Sequence, residues 1–186
     1  MFNIEVKENI LNSAKEIALK QGITKINIRA VAKNSGIAIG SVYNYYPKKD
    51  DLLMAVIEDF WTEALAEIDF KNVDGGNFFE KISIIYGSMY EYFHSFKENW
   101  LEQLSLLNEQ EKKLGRKKEN EYFSKIHAMI INLMDDDENV RSCEWNNVIS
   151  KEKTAEFIFD NMIIMFKKDE SNPEILIEVL KKIMTN

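Results

Sequence analysis

Apolar residues recur along this 186-residue chain at intervals of three and four, the period of amphipathic helices, and nowhere in the two-residue alternation of strands. A first helix is predicted over residues 4–21, because Gly22, which favours a left-handed turn, follows the periodic stretch. Its apolar face consists of Ile10, Ala14, Ile17 and Ala18. The pattern as a whole predicts an all-α fold.

Two short helices separated by a tight turn are predicted next. Asn27 is a suitable N-cap for the first, and Gly36 tolerates the left-handed backbone that ends it. In the second, Val42 and Tyr46 lie four residues apart and keep one face apolar. Two short helices joined by a glycine-containing turn form a helix-turn-helix, whose second helix enters the major groove of DNA.

Longer helices are predicted for the remainder of the chain. Asp50 and Asp51 open one that runs to about Ile68, with negative charge at the end where the helix dipole favours it. A loop at residues 74–77 follows, and Asn77 with Glu80 predicts a capping box at the start of the next helix. Further helices are predicted over residues 79–93, from 100 to an end near Gly115, and over residues 117–134, 155–166 and 173–183.

Composition and charge narrow the class of protein. A hydrophobic content of 45 % with only two prolines indicates a folded chain, and the single cysteine, Cys143, cannot form an internal disulfide. No signal segment opens the sequence and no apolar run approaches the ~20 residues of a membrane helix, so we expect a cytoplasmic protein without membrane contact. Residues 1–50 carry a net charge of +4 and residues 51–186 one of −11, which is typical of a protein that touches phosphates at one end.

The segment from Asn27 to Leu53 resembles the N-terminal DNA-binding domain of the TetR family (TetR/AcrR-like) of bacterial transcriptional regulators. The resemblance rests on Gly36, Gly40, Val42-Tyr43, Tyr45-Tyr46, Lys49 and Leu52-Leu53. It implies a helix-turn-helix DNA-binding domain over residues 1–50 and a helical ligand-binding and dimerisation domain over residues 51–186, joined by a long helix. The implied function is that of a ligand-responsive regulator, a repressor, acting on double-stranded operator DNA.

The resemblance assigns DNA-backbone contacts to aromatic and basic residues. Tyr43 and Tyr45 match positions that hold the DNA backbone, although one of the two rings could belong to the core, as Tyr46 is expected to do. Lys49 matches the phosphate-binding lysine at the start of the fourth helix, where the helix dipole also favours anions. Lys48 is expected to add a looser electrostatic contribution.

Base reading is expected from residues that face the groove. Arg29 resembles a base-contacting position and could pair with guanine, but a phosphate contact or a surface location is the alternative. Ile39 replaces the polar residue common at its place and could touch a thymine methyl group, and Gly40 lets the backbone approach DNA. The complete predicted DNA-binding set is Asn27, Arg29, Ile39, Gly40, Ser41, Tyr43, Asn44, Tyr45, Lys48 and Lys49.

The middle of the chain is rich in aromatic residues, and in the family this region encloses a small-molecule pocket. Tyrosine and tryptophan combine an apolar wall with a polar tip, which suits such a pocket, whereas plain core is the alternative for an aromatic stripe. The predicted lining consists of Tyr86, Tyr90, Phe93, Trp100, Tyr122 and His127. We expect a small-molecule effector here and no cofactor.

The last two helices resemble the pair that forms a homodimer interface in this family. The alternative is that both are buried within one chain. The predicted interface residues are Ile158, Phe159, Met162, Phe166, Leu176, Val179, Leu180 and Ile183. A two-fold dimer would place two DNA-binding heads about 34 Å apart, or a small multiple of that, and would require a palindromic operator.

Two other classes of function are alternatives to this hypothesis. The chain has only two histidines and no phosphate loop or nucleophile motif, which argues against an enzyme. Glu91, His94 and Glu98 share a helical face and could imitate a metal site, but a solvated polar face is the expected reading. The remaining alternative is a DNA-binding regulator that responds to a protein partner and has no small-molecule ligand.

Overall fold

The computed structural model describes residues 3–66, 76–94 and 100–184, without the side chains of residues 100–102, 117–119 and 141. Within these ranges it contains ten α-helices, one 3-10 turn and no strand, so the all-α prediction is confirmed. No helix in the described ranges has the length and apolar character needed to cross a membrane.

The first three helices form as their caps and apolar periods predict. Helix α1 spans Ile4–Gln21, and Gly22 follows it with a φ of 99°. A 3-10 turn, Ile23–Lys25, leads to α2 (Ile28–Ser35), whose N-cap Asn27 accepts a 2.8 Å hydrogen bond from the Ala30 N–H. Gly36 ends α2 in the left-handed conformation with a φ of 70°, and α3 spans Ile39–Tyr45. The predicted cap and left-handed turn are therefore both confirmed.

These helices enclose a small core. Helix α1 packs against α2 and α2 packs against α3. The side chains buried between them and the start of the next helix are Ile10, Ala14, Ile17, Ile23, Ile26, Val31, Val42, Tyr46, Leu52 and Leu53. Burial of this apolar surface supplies the main stabilisation, since each fully buried aliphatic side chain contributes about 1.5–3 kcal/mol.

One helix boundary differs from the prediction. Helix α4 spans Lys49–Ala66, α6 spans Trp100–Ser105 and α7 spans Glu109–Asp136, so the chain breaks before Glu109 and not near Gly115. The reason is a capping box at the break: the Asn108 Oδ1 accepts from the Glu111 N–H at 2.9 Å, and the Glu111 Oε2 accepts from the Asn108 N–H at 3.1 Å. Gly115 lies inside α7, where a single glycine lowers helix stability without ending the helix.

The remaining helices are α5 (Phe78–His94), α8 (Glu138–Arg141), α9 (Lys151–Lys167) and α10 (Glu174–Met184). The capping box predicted at the start of α5 is confirmed, because Asn77 and Glu80 exchange hydrogen bonds of 2.9 and 3.1 Å between side chain and backbone N–H. The core that these helices form with the second half of α7 contains Ile82, Tyr86, Met89, Ile126, Ile130, Met134, Ala155, Ile158, Phe159, Met162 and Leu180.

The chain divides into two compact units, each assembled from two segments. The first comprises Met1–Thr62 and Phe96–Glu119, and the second comprises Glu63–Ser95 and Asn120–Asn186. The compact units therefore do not follow a single break at residue 50. The division into functional domains at that residue stays a prediction.

The Asp137 side chain, in the acidic run of residues 135–138, is half-buried. Its carboxylate accepts N–H hydrogen bonds from Phe78 at 2.8 Å, from Asn139 at 3.0 Å and from Val140 at 3.2 Å. Burial alone would raise the pKa of Asp137, but these three bonds and the charge of Lys81 outweigh it and lower the pKa. One side chain thus satisfies the first turns of two helices, α5 and α8.

We expect Asp137→Ala to lower the free energy of unfolding by about 1–2 kcal/mol, because a cap and an interhelical contact are lost together. Asp136→Ala is the matched control, since Asp136 is exposed and lies one residue away. Urea denaturation at neutral pH measures both. Because the pKa of Asp137 is depressed in the folded state, its contribution is complete above the unfolded pKa of about 3.9 and disappears as the pH falls through the folded value. Equal losses in the two variants would contradict the capping role.

Candidate nucleic-acid interface

The outward face of α3 carries most of the predicted base-reading residues. Ile39 and Tyr43 are 44 % and 49 % exposed, Asn44 and Gly40 are exposed, and Ser41 is half-buried. A Cβ added to Gly40 would meet no atom within 4 Å, so the backbone there is open to close approach. Burial of Val42 and Tyr46 on the opposite side holds this face outward.

Asn27 and Arg29 play different parts at the start of α2. The Asn27 carboxamide accepts from the Ala30 N–H and donates to the Lys25 carbonyl at 3.0 Å, so both ends of its side chain hold the backbone. Arg29 is exposed and has no hydrogen-bond or ion-pair partner among the described residues. Its guanidinium is therefore available to a base or a phosphate, and both alternatives stay open.

The three tyrosines of the segment have distinct environments. Tyr43 is exposed, whereas the Tyr45 hydroxyl accepts a 3.0 Å hydrogen bond from the Asn3 N–H and so joins α3 to the start of α1. Tyr46 is 4 % exposed, which confirms its assignment to the core. Burial, with the nearby charge of Asp59, raises the pKa of Tyr46.

Lys48 and Lys49 differ more than their adjacent positions suggest. Lys48 is exposed, and its backbone N–H donates to the Asp51 carboxylate at 3.0 Å. Lys49 begins α4 as predicted, but its Nζ lies 2.8 Å from the Oε1 of Glu111. The ammonium that the resemblance assigns to a phosphate thus forms an internal ion pair.

Glu111 and Gln103 were not singled out in the sequence. The Gln103 Oε1 accepts a buried 2.8 Å hydrogen bond from the Ile23 N–H. The spacing of Asn108 and Glu111 is a capping-box signal that could have indicated Glu111, but no local signal indicates a partner 62 residues away.

Residues 10–56 match the family model described as bacterial regulatory proteins, tetR family. This segment therefore belongs to the TetR family. The transcriptional repressor KstR of Mycobacterium tuberculosis is 29 % identical over 85 residues, which are 46 % of this chain and 39 % of KstR. The chain spans about two fifths of the length of the curated relatives it matches first.

Solved structures extend the likeness over the whole chain. Salmonella enterica GusR superposes with a TM-score of 0.74 at 14 % identity, covering 99 % of this chain and 97 % of GusR. FadR of Bacillus subtilis, solved in complex with stearoyl-CoA, superposes with a TM-score of 0.66 at 14 % identity, covering 96 % and 97 %. At this identity the likeness shows the fold: a helix-turn-helix domain followed by a helical domain.

Three of the predicted ligand-lining residues lie together on α5. Tyr86 is buried and its O–H donates to the Glu170 carbonyl, while the Tyr90 O–H donates to the Asp169 carboxylate at 2.9 Å. The Tyr86 and Phe93 ring centroids lie 4.8 and 5.0 Å from that of Phe166. Burial, with Glu170 and Tyr90, raises the pKa of Tyr86 to about 12. Both hydroxyls therefore bind the turn between α9 and α10.

The other predicted lining residues are more scattered. Tyr122 is buried, and the Lys125 Nζ lies 4.6 Å above its ring centroid. His127 is half-buried against Phe159, with its Nε2 buried and without a hydrogen-bond partner among the described residues. Trp100 begins α6, but its side chain lies outside the described part of the chain. The ligand-binding assignment stays a prediction.

The predicted dimer residues separate into two groups. Ile158, Phe159, Met162, Phe166, Leu176 and Leu180 are buried within the chain itself. These six residues fit the alternative of burial within one chain, because the larger apolar faces of α9 and α10 point toward the core of the chain. Val179 and Ile183 are exposed. The further exposed apolar side chains of this region, which were not predicted, are Val148, Ile149, Phe157, Ile164 and Ile175.

The polar face that could imitate a metal site is only partly described. Glu98 lies outside the described residues, and the His94 Nδ1 is 3.2 Å from the Asp169 carboxylate. Among the described residues no group of three or more His, Cys, Asp or Glu side chains could hold a metal ion.

We expect Tyr43→Phe to weaken DNA binding about two- to tenfold on every sequence, because a hydroxyl bonded to a phosphate is lost without loss of base reading. Fluorescence anisotropy with labelled duplexes measures this. Tyr45→Phe is the matched variant and should lower the free energy of unfolding by about 0.5–1.5 kcal/mol, because the Asn3 N–H loses its acceptor. If Tyr43→Phe lowers stability and leaves affinity unchanged, the hydroxyl has no role on DNA.

Proposed function

We propose that this protein is a ligand-responsive transcriptional regulator, acting as a repressor, that binds a palindromic operator as a homodimer. The observation that carries the proposal is the exposed face of α3, in a segment where residues 10–56 match the TetR-family model. Binding to chromosomal DNA would place the protein in the cytoplasm.

The chemistry of the exposed face supports base reading as well as phosphate contact. Asn44 has the amide geometry that pairs with adenine in the major groove, and the guanidinium of Arg29 has the fork that pairs with guanine. The exposed Ile39 can touch a thymine methyl group. Tyr43 and Lys48 are suited to phosphate oxygens, which position the helix without specifying sequence.

Exposed apolar residues support the homodimer. Ile175, Val179 and Ile183 recur every four residues on α10, so they form one stripe on that helix. A groove of about 210 Å³ contains Ile183 together with Val148 and Phe157, which makes the apolar surface continuous with residues around the start of α9. Such a surface is costly to leave in water, and a two-fold contact between copies would bury it twice.

An effector in the second compact unit is supported by its aromatic content and by His127. A buried imidazole nitrogen without a partner is unfavourable unless something binds it, and a small molecule with a polar group would do so. Repression would end only if the effector binds one conformer more tightly than the other. The FadR complex makes stearoyl-CoA a reasonable first probe. Regulation by a protein partner without a small molecule is the second candidate.

Selection of bound duplexes from random DNA, repeated with and without candidate effectors, tests the proposal as a whole. Recovery of a palindromic site, with release by a small molecule, is the expected result. Recovery without release by any ligand would favour the protein-partner alternative. Failure to enrich any sequence would contradict the DNA-binding function.

We expect Asn44→Ala to relax base preference at one position of each half-site by about 1–3 kcal/mol, while binding to non-specific DNA changes little. Competition between the selected site and single-base variants measures this preference. An equal loss on all sequences would instead indicate that Asn44 positions the helix.

We expect Ile183→Glu to convert the dimer to monomers, because two carboxylates would be buried across a two-fold interface. Ile4→Glu is the matched control, since Ile4 is 73 % exposed on α1 and outside this surface. Sedimentation of both variants measures the oligomeric state. An Ile183→Glu protein that sediments as the wild type would remove this surface from the interface.

A further inference from the structure

Helix α6 and the start of α7 are joined to residues of the helix-turn-helix domain by polar contacts within the first compact unit. Gln103 accepts from the Ile23 N–H, and the Gln110 Nε2 donates to the Asp50 carboxylate at 3.2 Å. Between these contacts, the Lys49 Nζ and the Glu111 Oε1 lie 2.8 Å apart. Among the described residues, Lys49 is thus the predicted phosphate-binding residue whose ammonium forms an ion pair within the protein.

The Glu111 side of this pair is buried. Glu111 is only 5 % exposed, whereas the side chain of Lys49 remains 39 % exposed. Burial would raise the pKa of Glu111, but the hydrogen bonds from Lys49 and from the Asn108 N–H outweigh it and lower the pKa. Glu111 is therefore ionised at neutral pH. Removing the Lys49 ammonium would leave a buried carboxylate uncompensated, which is strongly unfavourable.

Two consequences follow for a DNA phosphate that approaches Lys49. The ammonium is already neutralised by a carboxylate at hydrogen-bond distance, and that carboxylate repels a second anion. Moving Lys49 to the phosphate would break the buried ion pair. Neighbouring Lys48 carries no such restriction, because it is exposed and its side chain has no ion-pair partner among the described residues.

We propose that Glu111 is an internal counter-ion that withholds Lys49 from the DNA phosphates and thereby sets the DNA affinity of this protein below what its lysines would allow. This inference rests on the proposed DNA-binding function. It assigns to α7 a role in DNA affinity without any contact between that helix and DNA. It also removes Lys49 from the phosphate contacts that the family resemblance implies.

Glu111→Gln is the variant that tests this role. Glutamine keeps the capping box, because its side-chain oxygen can still accept from the Asn108 N–H, but it releases the charge of Lys49. We expect binding to any duplex to tighten about three- to tenfold. The slope of log affinity against log salt should steepen by about 0.9 for each head, the value for one added phosphate contact, and so by about 1.8 for a dimer with both heads on DNA. Anisotropy titrations at several salt concentrations measure both quantities, and thermal unfolding checks that the variant is folded.

Glu109→Gln is the matched control. Glu109 lies in the same turn of α7, is exposed, and pairs with Lys112 at 3.4 Å and not with Lys49. The control removes the same charge, so it should leave the salt slope unchanged. Equal effects of the two variants would mean that only the loss of one negative charge matters, wherever it lies, which would overturn the proposal.

Lys49→Gln is a second, independent test of whether Lys49 contacts a DNA phosphate. If Lys49 makes no phosphate contact, this variant has none to lose, and its salt slope should equal that of the wild type. A slope smaller by about 0.9 for each head, about 1.8 for the dimer, would mean that Lys49 reaches a phosphate despite Glu111, and the proposal would be wrong. The doubly substituted Lys49→Gln/Glu111→Gln protein should likewise match the wild-type slope.

The outcomes separate this inference from the function on which it rests. A wild type that binds no duplex DNA overturns the proposed function and the role of Glu111 with it. A wild type that binds DNA while folded Glu111→Gln shows unchanged or weaker affinity overturns only the role of Glu111. Tighter binding with a steeper slope, absent from Glu109→Gln, supports both.

Discussion

Helix α3 is seven residues long, and a helix of that length is not stable in water by itself. It forms because Val42 and Tyr46 are buried against the other helices of the first compact unit. Fixing one face inward fixes the other outward, which is why Ile39, Tyr43 and Asn44 are exposed together. Every proposed contact with DNA depends on this division, since a rotation of α3 by one residue would carry Tyr43 toward the core.

Burial also governs which charges are free to act. Glu111 is held in the protein by a capping box and by Lys49, and Asp137 is held by N–H groups at the starts of two helices. A buried carboxylate needs such partners because desolvation is otherwise too costly. The cations and donors used in this way already have a partner within the protein. The basic character of residues 1–50 therefore overstates the number of phosphate contacts the segment can make.

In the second compact unit, aromatic residues likewise have partners within the protein. The hydroxyls of Tyr86 and Tyr90 bind the turn between α9 and α10, and the rings of Tyr86 and Phe93 pack against Phe166. These groups stabilise the fold, whatever else they contact. His127 is different, because its Nε2 is buried without a partner among the described residues. It is the predicted lining residue whose chemistry most favours a bound polar group.

The sequence by itself determined the features that depend on neighbours along the chain. The caps at Asn27 and Asn77, the left-handed turn at Gly36 and the inward positions of Val42 and Tyr46 all follow from local periodicity and hydrogen bonding. Tertiary structure alone decided that Lys49 meets Glu111 and that Tyr45 holds Asn3. It also decided that, on α10, Leu180 is interior while Val179 is exposed. These outcomes join residues far apart in the chain, or choose between two apolar faces of one helix, and no local pattern specifies either.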